Sequence, residues 1–353
     1  MVILQKDNML YIEHSKIKTY DRLPAKTYYV CEDQQDTLYL TQRPNMVVNT
    51  KIYGSNENKV NKIFKAYSLY DRSFGVLLHG PKGTGKSLMA KMICAEANKK
   101  GMPVIIVNKQ FSDLPNFIES IEQECVVLFD EFDKVLRTHT YGQENLNDRL
   151  LSVFDGTSSG KKIFVLTVNE VSDINQLLIN RPGRMHYKLF FGNPEIKTVR
   201  EYLEDNVEKD KQAVIDDVIE MATQMPLNFD SLRAIAFEIN MGSTIEEIQN
   251  ELNIGCNDIC HYEININLKN SATCIYAHRV AIDWNEESVT FFGRENDYEE
   301  DIKIVMKLTE KNMDFKTGKI VIPGSNISLF PQDDDSEFKN AKPLNAELSY
   351  KAN

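Results

Sequence analysis

The pattern of apolar and polar residues changes character along the chain, and the change falls near residue 254. Before it, short and largely apolar runs at 74–78, 104–107 and 125–129 are separated by longer stretches whose apolar residues recur every three or four positions. The short runs predict buried parallel strands, and the stretches between them predict helices that cover both faces of one sheet. Residues 51–193 are therefore expected to form an α/β core.

Two further regions follow this core. Residues 194–253 have apolar residues at helical spacing throughout, which predicts a small helical domain. Residues 254–353 alternate apolar and polar positions, as the half-buried strands of an antiparallel sheet do. The sequence therefore predicts a β-rich C-terminal domain. Its last stretch, residues 332–353, is polar and is expected to be a loose tail.

Residues 1–50 predict a small β element ahead of the core. Two short strands at 26–30 and 37–41 flank a polar turn, and Pro44 ends the pattern. A helix is expected at 55–70, because apolar and aromatic residues recur there at helical spacing. The predicted order is thus a β element, an α/β core, a helical domain and a β-rich domain.

The composition is that of an ordinary soluble globular protein, with 42% hydrophobic and 26% charged residues among 353. A net charge of -11 argues against a large nonspecific nucleic-acid surface, because phosphate binding needs clustered positive charge. No apolar run approaches the roughly 20 residues of a membrane helix, and the start lacks the features of a secretion signal. Six irregularly spaced cysteines fit a reducing compartment, so we expect a cytoplasmic protein.

The first core strand leads into a complete GxxxxGK[ST] phosphate loop. Its glycines let backbone N–H groups approach phosphate oxygens, and the helix that follows points its positive end at the same anion. Lys86 can supply charge to the β and γ phosphates, and Ser87 a hydroxyl ligand for Mg²⁺. The loop therefore predicts a site for ATP and Mg²⁺. Its expected binding residues are Gly80, Pro81, Lys82, Gly83, Thr84, Gly85, Lys86, Ser87 and Leu88.

Polar side chains at the ends of two later strands complete the expected site. The run at 125–129 ends in Asp130 and Glu131, at the sheet edge where ligands bind in open α/β folds. Asp130 can hold Mg²⁺ through water, and Glu131 can activate the attacking water as a general base. The strand at 163–168 ends in Asn169, whose amide could contact the γ phosphate or that water. A turn-forming asparagine is the alternative.

These motifs resemble those of the AAA+ ATPases. HGPKGTGKS is similar to their Walker A motif, VVLFDEFD to Walker B and TVNE to sensor 1, while INRPGRM resembles the stretch that carries their arginine fingers. Within the family, these motif sequences resemble those of the remodelling ATPases of the mitochondrial Rieske-protein translocase type. The resemblance implies a P-loop core with a parallel sheet between helices, followed by a helical lid at 194–253.

The resemblance also implies an assembly, most often a hexamer, that acts on a protein partner. Arg181 and Arg184 would reach the nucleotide of the neighbouring subunit, unless one of them pairs with a local carboxylate. Arg233, in the lid, would be the sensor 2 arginine or else an ordinary surface residue. The aromatic pore-loop pattern of threading members is missing, which leaves Phe111 and Phe117 as candidates. The alternative functions are those of a DNA-replication loader and of a nucleotide-gated scaffold.

One group of cysteine and histidine residues in the C-terminal region suits zinc. Cys256, Cys260, Cys274 and His278 give two short ligand pairs, and thiolates with imidazole are the ligands that zinc prefers. The second pair lies in a strand-like run, however, so a packed cysteine is the simpler interpretation. The sequence leaves both open.

Overall fold

The computed structural model describes residues 2–6, 9–13, 18–54, 56–111, 113–136, 146–155, 160–169, 171, 181–225, 227–252, 254, 260–269, 274–284, 286–294, 302–309, 311–314, 319–331, 338 and 341–351. The chain divides into two compact units. The first comprises Met1–Gly80 with Lys86–Phe190, and the second comprises Pro81–Gly85 with Phe191–Asn353.

The first unit is built around a seven-stranded sheet with the strand order β4-β3-β6-β7-β8-β5-β9. The strands of this unit are β1 Val2–Lys6, β2 Met9–Glu13, β3 Thr27–Glu32, β4 Leu38–Arg43, β5 Phe74–His79, β6 Val104–Val107, β7 Cys125–Phe129, β8 Lys162–Val168 and β9 Met185–Phe190. The helices are α1 Asn56–Leu69, α2 Lys86–Lys99, α3 Leu114–Glu119, α4 Phe132–Leu136 and α5 Leu146–Phe154. Neighbouring strands from β3 to β9 in the sheet run parallel, and β4 is antiparallel to β3.

Apolar sequence accounts for the middle of the sheet. Every residue of β6, β7 and β8 is buried, as a strand covered on both faces requires. Four phenylalanines pack edge to face against one side, with Phe129 5.4 Å from Phe132 and Phe154 4.9 Å from Phe164 between ring centroids. The α/β fold expected from the sequence is confirmed.

The predicted strands at 26–30 and 37–41 are present as β3 and β4, but they belong to the main sheet. β3 pairs in parallel with β6, from Thr27 opposite Val104 to Tyr29 opposite Ile106. The side chains of Thr27, Tyr28 and Val30 are buried, and this burial needs a partner sheet that a lone hairpin cannot supply. The separate two-stranded hairpin is β1–β2 instead.

The second unit contains the predicted helices and a β-rich region. Its helices are α6 Ile196–Asn206, α7 Ile215–Gln224, α8 Phe229–Met241 and α9 Ile245–Glu251, with a 3₁₀ turn at Lys209–Val214. They pack around a shared apolar cluster that includes Leu203, Ile219 and Leu232. The start of α9 is specified locally, because Thr244 and Glu247 form a capping box there.

The β-rich region forms two antiparallel sheets with a common apolar core, in the orders β11-β10-β17-β15-β14 and β12-β13-β16. The strands are β10 Cys260–Leu268, β11 Cys274–Ile282, β12 Ser288–Gly293, β13 Ile302–Lys307, β14 Asn312–Asp314, β15 Lys319–Pro323, β16 Ile327–Phe330 and β17 Pro343–Lys351.

The expectation of a loose tail at 332–353 is wrong for its second half. β17 lies between β10 and β15 in the larger sheet and pairs with both. Ala346 and Leu348 are fully buried in the core of this region, whereas Glu347, which lies between them, is half-buried. The alternation of apolar and polar residues is thus a strand signal, which the polar composition of the stretch hides.

The helices and the β-rich region meet within this unit at Tyr262. Its hydroxyl donates a hydrogen bond to the carbonyl of Thr223 in α7 and accepts one from Trp284 Nε1 at 2.8 Å. The ammonium group of Lys311 lies 4.6 Å from the centre of the Trp284 ring and 3.7 Å from Glu220 Oε1. The contact therefore combines aromatic packing with polar bonds.

Two absences apply to the described part of the chain. None of its helices has the length and apolar character needed to cross a membrane. Nor does it contain a group of three or more His, Cys, Asp or Glu side chains placed to hold a metal ion. Cys256 lies outside the described residues, Cys274 donates to Asn267 Oδ1 at 3.2 Å, and the side chain of His278 is 75% exposed.

Candidate active site

The phosphate loop connects the end of β5 to the start of α2, as its sequence predicts. Gly80, Gly83 and Gly85 have φ angles of 140°, 75° and 99°, which residues with a Cβ rarely adopt. Lys86 is only 7% exposed, and its Nζ donates to the carbonyl of Gly80 at 2.6 Å. Ser87 is exposed in the first turn of α2. The remaining loop residues are exposed (Pro81, Lys82), half-buried (Leu88) or buried (Thr84).

The loop also contacts a residue that the sequence analysis did not single out. Asn228 donates from Nδ2 to the carbonyl of Lys82 at 3.3 Å, and the N–H of Phe229 donates to the carbonyl of Gly83 at 3.0 Å. Asn228 also caps α8, because its Oδ1 accepts from Ser231 N at 2.8 Å. A helix-capping asparagine is readable from sequence, but its second contact with the loop is not.

The two carboxylates occupy the end of β7. Asp130 is exposed, and its N–H donates to the carbonyl of Val107 in the adjacent strand at 3.3 Å. Glu131 is half-buried, has a φ of 52°, and accepts a hydrogen bond at Oε2 from Lys134 Nζ at 2.5 Å. That hydrogen bond raises the pKa of Lys134 above its usual value. Both carboxylates therefore stand where the sequence predicts them.

Neighbouring strands bring the other predicted groups to the same edge. β8 lies between β7 and β5, and the N–H of Gly80 donates to the carbonyl of Val168, the last residue of β8, at 3.3 Å. Asn169 follows directly and is half-buried. Because parallel strands end at one edge, Gly80, Asp130 and Asn169 share that edge.

His79 precedes the loop and is half-buried. Its ring lies 5.3 Å from Phe190, and burial together with the positive charges of Lys188 and Lys86 lowers its pKa. A lowered pKa keeps the imidazole neutral at physiological pH. The positive charge beside the loop therefore comes from the lysines.

The two arginines of the NRPGR stretch differ sharply in their surroundings. Arg184 is 8% exposed and binds Asp155 through two hydrogen bonds, from Nε to Oδ1 at 2.5 Å and from Nη2 to Oδ2 at 2.7 Å. The hydrogen bonds from Arg184 lower the pKa of Asp155. Arg181 has a side chain that is 67% exposed, 3.6 Å from Asp155 Oδ1. Arg181 is thus the one that extends into solvent.

Three further predicted residues lie as follows. The side chain of Arg233, in α8, is 77% exposed and lies 3.9 Å from Asp230 Oδ1. Phe111 is 2% exposed in the main core, and Phe117 is half-buried against the same core. Neither phenylalanine projects an exposed ring.

The residues present fit a nucleoside triphosphate with Mg²⁺. The loop joins a parallel strand to the N-terminus of a 14-residue helix, which favours anions. A Cβ built on Gly85 would meet no atom within 4 Å, so the space beside the loop is open. Oxygen donors for a hard cation are available from Ser87 and Asp130. Fold and site together define a P-loop nucleotide-binding domain.

Comparison with known proteins agrees with this definition. Residues 76–193 match the family described as "ATPase family associated with various cellular activities (AAA)". For these residues, the match confirms the AAA+ identification made from the motifs.

Several relatives carry the same domain in longer proteins. The protein mac-1 of Caenorhabditis elegans is 30% identical over 150 residues, or 38% of this chain and 18% of the relative. The mouse mitochondrial inner membrane m-AAA protease component AFG3L1 is 29% identical over 186 residues, or 47% and 21%. The peroxisomal ATPase PEX1 of Dictyostelium discoideum is 29% identical over 150 residues, or 39% and 12%. The chain therefore spans about a fifth or less of the length of these relatives.

Proposed function

We propose that this protein is a ring-forming ATPase that uses ATP hydrolysis to remodel, move or disassemble a protein partner. The observation that carries the proposal is the shared sheet edge, where the phosphate loop, Asp130, Glu131 and Asn169 follow adjacent parallel strands. An ATPase needs these groups together, because phosphoryl transfer depends on positioning and charge stabilisation rather than on a covalent intermediate.

Each group has a role that its chemistry allows. Lys86 and the N–H groups at the start of α2 would bind the phosphates, and Ser87 with Asp130 would hold Mg²⁺. Bound Mg²⁺ neutralises charge on the phosphate oxygens. Glu131 would accept a proton from the attacking water, which requires it to exchange its contact with Lys134 for one with that water. Asn169 would contact the γ phosphate or the water.

We assign the in-trans arginine role to Arg181. Its exposure leaves it able to reach a neighbouring subunit, whereas Arg184 is already committed to Asp155. Arg184 and Asp155 would then fix the turn from which Arg181 extends. Ring formation, with six subunits as the working number, follows from a site that needs a residue of the adjacent copy.

The partner is proposed to be a folded protein rather than a threaded chain. Both aromatic candidates, Phe111 and Phe117, pack against the core in the described part of the chain and cannot grip an extended polypeptide. One of the relatives is named as a component of a protease, an enzyme that acts on proteins, and this name supports a protein as the partner. A cytoplasmic location is supported by the cysteines, since Cys94 and Cys125 are buried free thiols.

The decisive experiment combines two single variants. Glu131→Gln should bind ATP but lose turnover, because the amide cannot act as a base, whereas Glu32→Gln, a control acid at the end of β3, should behave as wild type. Arg181→Ala should also lose turnover. Mixing the two inactive proteins should restore activity, since a Glu131→Gln subunit still offers Arg181 to an Arg181→Ala neighbour.

In a random equal mixture, roughly one interface in four pairs an intact cradle with an intact arginine, so phosphate release should recover to about a quarter of the wild-type rate. Mixed rings that assemble but stay inactive would refute the in-trans role. Normal turnover by Glu131→Gln alone would refute the general-base assignment.

A further inference from the structure

Thr167 in β8 connects the two carboxylates at the end of β7. The strands pair in parallel with Phe129 opposite Leu166, which brings Thr167 beside Asp130. The Thr167 hydroxyl donates to Asp130 Oδ1 at 2.8 Å and accepts from the N–H of Glu131 at 2.8 Å. At 3% exposure, it is shielded from water that could replace either bond. One buried hydroxyl therefore bonds to both acidic residues.

The backbone of Glu131 needs such a contact. Its φ of 52° lies in the left-handed region, which non-glycine residues occupy only where their surroundings hold them. The N–H bond to Thr167 restrains one side of this residue, and its carbonyl accepts from Lys134 N at 2.8 Å on the other. The direction of the Glu131 side chain follows from this backbone conformation.

A hydroxyl at this position can serve both neighbours. A threonine has one proton to donate and lone pairs that accept, so it satisfies a carboxylate and an N–H at once. Valine has the same shape but can make neither bond, and serine retains both bonds with one methyl group fewer. Substitutions at Thr167 can therefore separate the hydrogen bonds from the packing.

We propose that Thr167 is a positioning residue for ATP hydrolysis, holding the Asp130 carboxylate and the Glu131 backbone in one fixed arrangement. The inference rests on the proposed function, because it assigns Asp130 to Mg²⁺ and Glu131 to water activation. It adds a residue that acts through both of them without contacting the nucleotide. Loss of the hydroxyl should affect the chemical step and the Mg²⁺ requirement more than ATP binding.

The test compares Thr167→Val and Thr167→Ser with Thr27→Val in the full-length protein. Thr27 is a matched control, because it is 1% exposed in the same sheet and its hydroxyl bonds to Asn98 Oδ1 at 3.2 Å, away from the carboxylates. Thr167→Val should lower kcat by about 10- to 100-fold, the effect of two lost hydrogen bonds of which one joins a charged group. It should also raise the Mg²⁺ concentration for half-maximal rate. Thr167→Ser should stay within about threefold of wild type.

Hydrogen exchange on the nucleotide-free protein gives a readout that does not depend on activity. The Glu131 amide should exchange about tenfold or more faster in Thr167→Val than in wild type, and should remain protected in Thr167→Ser. If Thr167→Val does not fold, Thr167→Cys replaces it with the same measurements, since a thiol is a weak donor and acceptor. Turnover and exchange equal to those of Thr27→Val would overturn the inference.

The result is separable from that of the proposed function. An inactive Glu131→Gln protein together with normal turnover in Thr167→Val overturns the role of Thr167 and leaves the ATPase assignment standing. Turnover retained by Glu131→Gln counts against the ATPase mechanism, and the exchange rate of the Glu131 amide then still decides whether Thr167 holds that backbone.

Discussion

Replacing Tyr262 by phenylalanine should weaken the joint between the helices and the β-rich region of the second unit. Tyr262 is fully buried, and its hydroxyl makes one donated and one accepted hydrogen bond, to Thr223 and from Trp284. Phenylalanine keeps the ring, which stands perpendicular to the Trp284 ring at 5.8 Å, and removes only the hydroxyl. The change therefore isolates the polar part of the contact.

The expected loss follows from the two bonds. Each intramolecular hydrogen bond contributes about 0.5–1.5 kcal/mol net to stability, so the variant should lose about 1–3 kcal/mol of unfolding free energy. At a urea m-value of about 2 kcal/mol/M, this corresponds to a midpoint lower by roughly 0.5–1.5 M. Solvent cannot compensate at this site, because the residue is 0% exposed.

The chain carries its own probe for this measurement. Trp284 is the single tryptophan of the sequence, so intrinsic fluorescence during urea unfolding reports on this joint. Tyr276→Phe is the matched control, since Tyr276 lies in β11 with 44% exposure and should change stability by less than about 0.5 kcal/mol. Equal midpoints for the two variants would show that the hydroxyl of Tyr262 adds nothing to the joint.

Three other predictions follow from the first unit and the loop. Asp155→Asn should lower the free energy of unfolding by about 1–2 kcal/mol at neutral pH, as denaturant unfolding can measure. Because Arg184 lowers the pKa of Asp155, this difference in stability from wild type should persist above about pH 4 and shrink as the pH falls through the lowered pKa. Burial raises the pKa of both Cys94 and Cys125 to about 12, so both thiols should resist alkylation at pH 8 until the protein unfolds, as mass spectrometry can follow. Gly83→Ala should weaken ATP binding about tenfold or more in calorimetry, because a left-handed non-glycine residue costs about 1–3 kcal/mol; unchanged affinity would show that the bound loop has another shape.

The parts of the fold that the sequence predicts are those specified by local pattern. The run at 125–129 is wholly apolar and ends in carboxylates, and β7 spans the same five residues. Apolar spacing likewise predicts the helix at 55–70, and α1 spans Asn56–Leu69. Such elements bury their apolar residues in any reasonable arrangement, so their position depends little on distant partners.

Elements that depend on distant partners cannot be predicted from local pattern. β9 has only one fully buried residue among six, and it is a strand because β5 pairs with it at the sheet edge. Gly75 in β5 permits this pairing, since a Cβ there would lie 2.7 Å from the carbonyl of Arg184. A glycine inside an apolar run indicates a close backbone approach, but the sequence does not say to which segment.

The two arginines show how such a long-range contact determines which side chain stays exposed. Residues 181–184 form a tight turn, with Arg184 N donating to the carbonyl of Arg181 at 2.8 Å, so spacing alone makes both side chains equivalent candidates. The difference arises afterwards, because the carbonyl of Arg184 accepts from Gly75 N at 2.6 Å and ties that residue to the sheet. Its guanidinium then meets Asp155, 29 residues earlier in the chain, in a bidentate pair with two short hydrogen bonds. Arg181 lies outside the sheet and keeps its exposure, so the backbone pairing of a neighbouring glycine determines which arginine can serve another subunit.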